Sequence, residues 1–215
     1  MAFDVQSMLY STPAIVLGLS VHEFAHAFAA YRLGDSTARD EGRLTLNPLK
    51  HLDPLGFLFL MIAGFGWAKP VRFSRERLRN PRRDEAVIAL AGPVSNLLLA
   101  VIASLLLRIL DAFFPGFMEA RAGANYVALR VVLNFIFINY GLFVFNMIPL
   151  PPLDGSHLLF RAIAIKPEIE AKLQRYGSFA LIAIILIENR TSLDLLPIGR
   201  LVRAMAQGLF GILWN

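Results

Sequence analysis

Two histidines and a glutamate stand together near the start of the chain, in the order His22-Glu23-Phe24-Ala25-His26. On a helix, residues four apart share one face, so the His22 and His26 imidazoles can be directed at one metal ion. Glu23 lies beside them, where its carboxylate can reach a water molecule on that metal. This spacing is typical of zinc sites that hydrolyse peptide bonds, in which glutamate is the general base. The motif therefore predicts His22 and His26 as zinc ligands and Glu23 as the catalytic acid/base.

The segment that carries this motif, residues 8–31, is apolar and long enough to cross a membrane. A spanning helix needs about 20 mostly apolar residues. Each ionisable side chain at bilayer depth costs a few kcal/mol by insertion scales. Three such groups on one helical stretch therefore indicate a common partner, and a metal ion is the natural one.

The composition agrees with a membrane protein and excludes a soluble peptidase. Hydrophobic residues make up 56% of the 215 residues and charged residues 17%, against roughly 25% charged in an average soluble domain. The net charge is +5, but the basic residues flank apolar runs, so the predicted partner is lipid and not nucleic acid. The chain contains no cysteine, so a metal site must use His, Asp or Glu.

Hydrophobic segments predict an all-α polytopic membrane protein that forms one membrane-embedded domain over residues 1–215. The predicted spans are about 8–31, 86–110, 126–148 and 174–195. A shorter apolar stretch at 53–66 contains helix-breaking proline and glycine, and Gly42–Leu46 alternates like a strand. We therefore expect a re-entrant or β-hairpin-like insertion over about 42–72. Residues 198–214 have the spacing of an amphipathic or interfacial helix.

The distribution of basic residues predicts the orientation in the membrane. The loop between the first two spans is strongly basic, with Lys69, Arg72, Arg75, Arg77, Arg79, Arg82 and Arg83. The next loop contains only Arg121. We therefore expect a multi-pass protein of the cell (inner) membrane, with loop 69–85 in the cytoplasm and the N-terminus outside. The ends of the first and third spans then meet on the cytoplasmic side.

A catalytic zinc needs a third protein ligand besides the two histidines, with the fourth position left to water. Asp154 is a candidate, because it follows the helix-breaking run Pro149-Leu150-Pro151-Pro152-Leu153 at the end of the third span. On the predicted orientation, this break lies near the depth of His22 and His26. The alternative is that Asp154 is the N-cap of a helix that begins near Gly155.

Three motifs resemble those of the site-2 proteases, intramembrane zinc metalloproteases of peptidase family M50. In order, they are His22-Glu23-x-x-His26, Gly92-Pro93-x-x-Asn96 and Asn146-x-x-Pro149-x-Pro151-Pro152-Leu153-Asp154-Gly155. The resemblance covers roughly residues 8–160. It is closest to the compact prokaryotic members that lack PDZ and CBS domains.

The resemblance implies that His22, His26 and Asp154 hold one zinc ion per chain, and that Glu23 is the catalytic acid/base. It also implies substrates that are membrane proteins with one or few spans, cleaved in or near a spanning segment. Asn96 and Asn146 match positions associated with substrate binding in that family. The alternative for each asparagine is an interhelical hydrogen bond, which is common in membrane bundles.

Other interpretations of the sequence remain. The same polar cluster could serve a non-enzymatic metal-binding membrane transporter or a substrate-holding module. Transport is disfavoured because the second span offers only Ser95, Asn96 and Ser104 before its ends. His51 and Asp53 are interpreted as a solvated interfacial pair, with a supporting role behind the metal ligands as the alternative. A homodimer is compatible with the sequence.

Overall fold

The computed structural model describes residues 5–63, 68–163, 165–191 and 193–214. In these residues the chain is helical, apart from turns, irregular segments and one isolated antiparallel β-bridge between Leu52 and Ala68. A short 3₁₀ turn covers Arg75–Arg77. The α-helices of this part of the chain are α1 (Val5–Arg32), α2 (Thr37–Asp40), α3 (Pro48–His51), α4 (Pro54–Ala63), α5 (Pro81–Phe113), α6 (Gly123–Asn146), α7 (Asp154–Ala162), α8 (Pro167–Arg190) and α9 (Ile198–Leu213).

Three helices of the described chain are long and apolar enough to cross a membrane: α1 from Gln6 to Arg32, α5 and α6. The three pack against one another. On α5, small residues such as Ala100 and Ala103 are buried against the neighbouring helices, whereas Leu98 and Ile102 are more than half exposed. This is the pattern of a membrane bundle, in which small residues pack between helices and large apolar ones face lipid. The predicted segments 8–31, 86–110 and 126–148 coincide with these helices.

The predicted fourth span, 174–195, falls on α8 and the loop after it. Although α8 has 24 residues, it is not among the candidate spans of the described chain. Near its N-terminus, Glu170 pairs with Arg75 and Arg161. Near its C-terminus, Glu188 accepts a hydrogen bond from the Leu196 N–H at 2.7 Å. By length and composition, three helices of the described chain have the properties of spans, and the fourth span stays a prediction.

The predicted C-terminal amphipathic helix is α9, and its apolar face packs against the bundle. Val202 and Ala206 are buried in the same core as residues of α5 and α6. At the end of α9, the Trp214 indole N–H donates to Asp111 at 2.7 Å, and Arg108 Nε donates to the Leu213 carbonyl at 2.8 Å. These contacts tie the end of α9 to the end of α5.

The insertion at 42–72 differs from the predicted hairpin. The strand expected at Gly42–Leu46 is wrong: this segment is irregular, because the N–H groups of Gly42 and Arg43 bond back to carbonyls of α2. Gly42 adopts a positive φ of 67°, which favours glycine and ends the helical turn. Helix α4 follows, and its 10 residues reach about 15 Å, half of a bilayer core. Residues 64–67 of the insertion lie outside the described residues.

Candidate metal centre

Helix α1 brings two imidazoles together in the interior of the bundle. His22 and His26 are 5% and 9% exposed, and their Nε2 atoms are 3.0 Å apart. The four-residue spacing places them one turn apart on the face of α1 that packs against α5. The two rings are nearly perpendicular, at 82°, so each presents its Nε2 edge to the same point.

Asp154, which is distant from the histidines in the sequence, reaches the same point. Helix α6 ends at Asn146, and the chain turns through the proline-rich residues to start α7 at Asp154. The turn is tight, since a Cβ on Gly155 would lie 2.6 Å from the Ile148 carbonyl oxygen. Asp154 Oδ2 lies 3.2 Å from His22 Nε2 and 3.4 Å from His26 Nε2.

The alternative role for Asp154, as a helix N-cap, does not fit this geometry. The N-cap of α7 is Leu153, and no side chain makes a capping hydrogen bond there. Asp154 is the first helical residue, and its side chain points to the histidines. It keeps 20% of its side-chain surface exposed, so this edge of the cluster is open to water.

The hydrogen bonds behind the rings fix where the imidazole protons lie. His26 Nδ1 is 2.7 Å from the Ile88 carbonyl oxygen, which can only accept, so Nδ1 carries the proton. His22 Nδ1 is 2.7 Å from Asn96 Oδ1. The Asn96 amide cannot be flipped, because its Nδ2 donates to the Gly18 carbonyl at 3.0 Å. Both histidines are therefore protonated at Nδ1, which leaves Nε2 as the nitrogen that can coordinate a metal ion.

Three potential metal-binding atoms, the two Nε2 nitrogens and Asp154 Oδ2, thus converge on one point. Asp154 Oδ2 is buried and has no geometrically satisfactory hydrogen-bond partner among the described residues, although His22 Nε2 is 3.2 Å away. Buried acceptors this close repel one another unless a cation satisfies them. His22, His26 and Asp154 form a group that could hold a metal ion. Two imidazole nitrogens and one carboxylate oxygen are a ligand set typical of catalytic zinc.

Gly92 of α5 lies directly against the side chains of His22 and His26. A Cβ on Gly92 would lie 2.6 Å from His22 Nε2 and closer still to His26 Nε2. Pro93 follows within the helix. A side chain at Gly92 would therefore occupy the space into which the metal-binding atoms point.

Glu23 is buried, with 8% exposure, on the turn of α1 that carries the histidines. Its Oε2 accepts a hydrogen bond from the backbone N–H of Val71 at 2.9 Å. Val71 belongs to an extended segment between α4 and α5, so a second part of the chain reaches the centre. The Val71 N–H thereby holds the Glu23 carboxylate through Oε2 and makes no use of Oε1.

The two asparagines expected to bind substrate occupy different positions. Asn96 is fully buried, and its Nδ2 donates to Gly18 and to Asn139 Oδ1, the latter at 2.9 Å. It stands behind His22 and does not face the open side of the cluster. Asn146, at the end of α6, is half-buried and donates from Nδ2 to the Leu142 carbonyl at 3.0 Å.

Sequence reasoning missed three groups that the structure places at the centre. They are the Ile88 carbonyl, the Val71 N–H and the Asn139 amide. Asn139 carried a usable signal, because it is a polar residue in an apolar span and is fully buried. The other two are backbone groups, which no residue type reveals. His51, expected to be solvated, is fully buried, and Asp53 instead caps α4 by accepting from the Gly56 N–H at 2.8 Å.

Comparison with known proteins gives a consistent result. Residues 10–187 match the family model described as Peptidase family M50. The chain is 38% identical over 187 residues to "Putative zinc metalloprotease YwhC" of Bacillus subtilis, covering 86% of this chain and 82% of the relative. It is 34% identical over 166 residues to "Putative zinc metalloprotease Rip2" of Mycolicibacterium smegmatis, covering 74% of this chain but 57% of that longer relative. "Putative zinc metalloprotease MJ0611" of Methanocaldococcus jannaschii is 29% identical over 157 residues, or 73% of this chain and 72% of the relative. No solved structure matches the chain significantly.

Proposed function

The chain belongs to peptidase family M50, and we propose that it is an intramembrane zinc metalloendopeptidase that cleaves membrane proteins in or near a spanning segment. The observation that carries this proposal is the convergence of His22 Nε2, His26 Nε2 and Asp154 Oδ2, which lie 3.0 to 3.4 Å apart in the interior of the bundle. Two of these ligands stand on a helix with the length and composition of a membrane span.

In this proposal, His22, His26 and Asp154 hold one zinc ion per chain, and Glu23 is the general acid/base. When bound, zinc lowers the pKa of its water to about 7 and polarises the scissile carbonyl. Glu23 accepts the proton of the attacking water and delivers it to the leaving amine nitrogen. The exposed edge of Asp154 gives water and an extended peptide a route to the centre.

The substrate must reach this centre as an extended chain, because a helical peptide bond is already hydrogen-bonded within the helix. Membrane proteins with one or few spans suit this requirement, since a single helix can unwind locally. Asn146 lies where α6 ends, and its amide has a second N–H that can donate to the substrate backbone. We assign it that role.

For the membrane arrangement, we propose a multi-pass protein of the inner membrane with the N-terminus outside and loop 69–85 in the cytoplasm. The dense basic residues of that loop support this orientation. The metal ligands then lie in the half of the bundle that is nearer the cytoplasm. A fourth crossing by α8 and assembly as a homodimer belong to the same proposal.

The proposal is tested by reconstituting the purified protein in liposomes with a single-span membrane protein. We expect cleavage within the span or a few residues from it, with the cut mapped by mass spectrometry. A zinc chelator should stop the reaction, and added zinc should restore it. Cleavage that is indifferent to chelation, or that is confined to soluble tails, would contradict the proposal.

Asn96 is proposed as the residue that orients His22, and its removal should weaken zinc binding. Partners of metal-bound histidines typically contribute about 10- to 100-fold in metal affinity or activity. We expect Asn96→Ala to reduce zinc affinity within that range, measured by competition with a fluorescent chelator. Asn139→Ala should have a smaller effect, because Asn96 retains its bond to Gly18. Equal zinc affinity in Asn96→Ala and wild type would assign Asn96 to packing alone.

A further inference from the structure

An extended segment, residues 68–74, crosses beside the metal centre and contacts Glu23 at its middle. We call this segment the strap. It begins at the β-bridge between Ala68 and Leu52 and ends at the 3₁₀ turn that starts at Arg75. Because Pro70 has no N–H, the first N–H of the strap after Lys69 is that of Val71, which donates to Glu23 Oε2 at 2.9 Å.

The first end of the strap is fixed by buried polar groups of the preceding loop. The guanidinium of Arg43 donates to the Lys69 carbonyl, and the Lys69 N–H donates to the His51 carbonyl at 2.8 Å. Arg43 is 5% exposed and His51 is fully buried. The His51 ring is itself held, since Nε2 donates to the Thr45 carbonyl at 2.6 Å. Because a buried guanidinium needs hydrogen-bond acceptors, the bond from Arg43 to the Lys69 carbonyl should hold this end of the strap firmly.

The second end of the strap is fixed by Asp35. Its Oδ2 accepts from the Ser74 N–H at 2.6 Å, while Oδ1 accepts from the N–H and hydroxyl of Thr37. Burial opposes ionisation of Asp35, but these hydrogen bonds outweigh it and lower the pKa of the carboxyl below its usual value. Asp35 is therefore a carboxylate at neutral pH, and the anchor is charge-assisted.

We propose that Arg43 is a positioning residue for Glu23 and acts through the strap. Arg43 and His51 fix Lys69 on one side of Val71, and Asp35 fixes Ser74 on the other. The Val71 N–H is thereby held at one place and keeps one Glu23 oxygen there. The inference rests on the proposed function, in which Glu23 is the catalytic acid/base.

The Glu23 side chain needs an external contact to hold its carboxylate in one position. It has three rotatable bonds and is buried, so it will turn toward whichever donor is available. A displacement of about 1 Å at a reacting group can cost 10²-fold in rate. Fixing the Val71 N–H removes that freedom, and it does so from outside the helix that carries Glu23.

The first test compares Arg43→Ala with Arg43→Lys, using Arg39→Ala as the matched control. Arg39 is an exposed arginine of α2 that pairs with Asp40 and lies over the Tyr31 ring. We expect Arg43→Ala to lower kcat about tenfold, below the upper limit for a misplaced group, with KM and zinc content unchanged. Arg43→Lys should recover much of the loss, because its ammonium can also donate to the Lys69 carbonyl. Arg39→Ala should match wild type.

A second readout does not depend on activity. Hydrogen–deuterium exchange resolved to single amides should show Val71 protected in wild type and in Glu23→Gln, which keeps an acceptor oxygen. Protection of Val71 should fall in Glu23→Ala and in Arg43→Ala. If Glu23→Gln is inactive but Arg43→Ala keeps full kcat, the positioning role is refuted and the proposed function stands. If Glu23→Gln is fully active, the proposed function itself fails.

An engineered disulfide tests whether the strap can stay fixed during catalysis or must move. The Lys69 N–H to His51 carbonyl bond flanks the Leu52–Ala68 pair, which makes it a non-hydrogen-bonded pair with Cα atoms about 4.5 Å apart, within disulfide range. The chain has no cysteine, so Leu52→Cys with Ala68→Cys gives one defined crosslink. We expect the oxidised double variant to match its reduced form in kcat. Activity lost on oxidation and regained on reduction would overturn the positioning role, because the segment would then have to move.

Discussion

Replacing Glu23 by glutamine should remove cleavage while leaving zinc bound. Glutamine has the size of glutamate and retains an oxygen for the Val71 N–H, so the local structure should persist. It cannot accept a proton, and positioned acid/base groups typically contribute about 10²- to 10⁴-fold to rate. We expect a loss in that range for a reconstituted single-span substrate, with one zinc per chain measured by atomic emission.

The matched control for this variant is Glu41→Gln, an exposed glutamate just after α2. It should cleave at the wild-type rate. Full activity of Glu23→Gln would exclude Glu23 as the acid/base and with it the assignment as a zinc endopeptidase. A role that survives in Glu23→Gln, such as holding or transporting a partner, would then be the better explanation.

Replacing Gly92 by alanine should displace the proposed metal ligands and weaken zinc binding. The added Cβ would lie 2.6 Å from His22 Nε2, a distance at which either the ring or α5 must shift. Alanine is a better helix former than glycine by about 1 kcal/mol, so α5 itself should not be weakened. We expect zinc affinity to fall at least about tenfold, the scale on which misoriented ligands lose metal, with cleavage falling in parallel.

The control for this substitution is Gly141→Ala. Gly141 is also an interior helical glycine, and its added Cβ would meet nothing within 4 Å. This variant should bind zinc and cleave as wild type does. Zinc bound equally well by Gly92→Ala would mean that the metal does not sit between the imidazoles and α5.

The clustering of His22, His26 and Asp154 could be predicted from the sequence because their placement is local or is set by the break after α6. His22, Glu23 and His26 lie on one helical turn, so their relative placement follows from helix geometry. Asp154 is 128 residues after His26 in the chain, yet the prolines after Asn146 and the direction of the spans were enough to bring it to the same side. The three long apolar helices were predictable because their length and composition are visible in the sequence.

The remainder depended on tertiary contacts that no pattern contains. The apolar run in α8 predicted a span, and this stays a prediction, because contacts of Glu170 and Glu188 near the helix ends with other parts of the chain could not be foreseen. The alternation at Gly42–Leu46 predicted a strand, but the N–H groups there are satisfied by α2. The role of the strap could not be predicted because the donor to Glu23 is a backbone N–H. Asn96 was expected to bind substrate. Its residue type could not show that both polar atoms of its side chain form hydrogen bonds inside the bundle.

The most direct test of the central claim is the zinc content of four proteins prepared side by side: wild type, Glu23→Gln, Gly92→Ala and Asp154→Ala. The two histidines and Asp154 should hold the metal, whereas Glu23 should act on bound water without being a ligand. We therefore predict one zinc per chain in wild type and in Glu23→Gln, and loss of zinc from Gly92→Ala and Asp154→Ala. The same zinc content in all four proteins, or its loss from Glu23→Gln alone, would contradict the account.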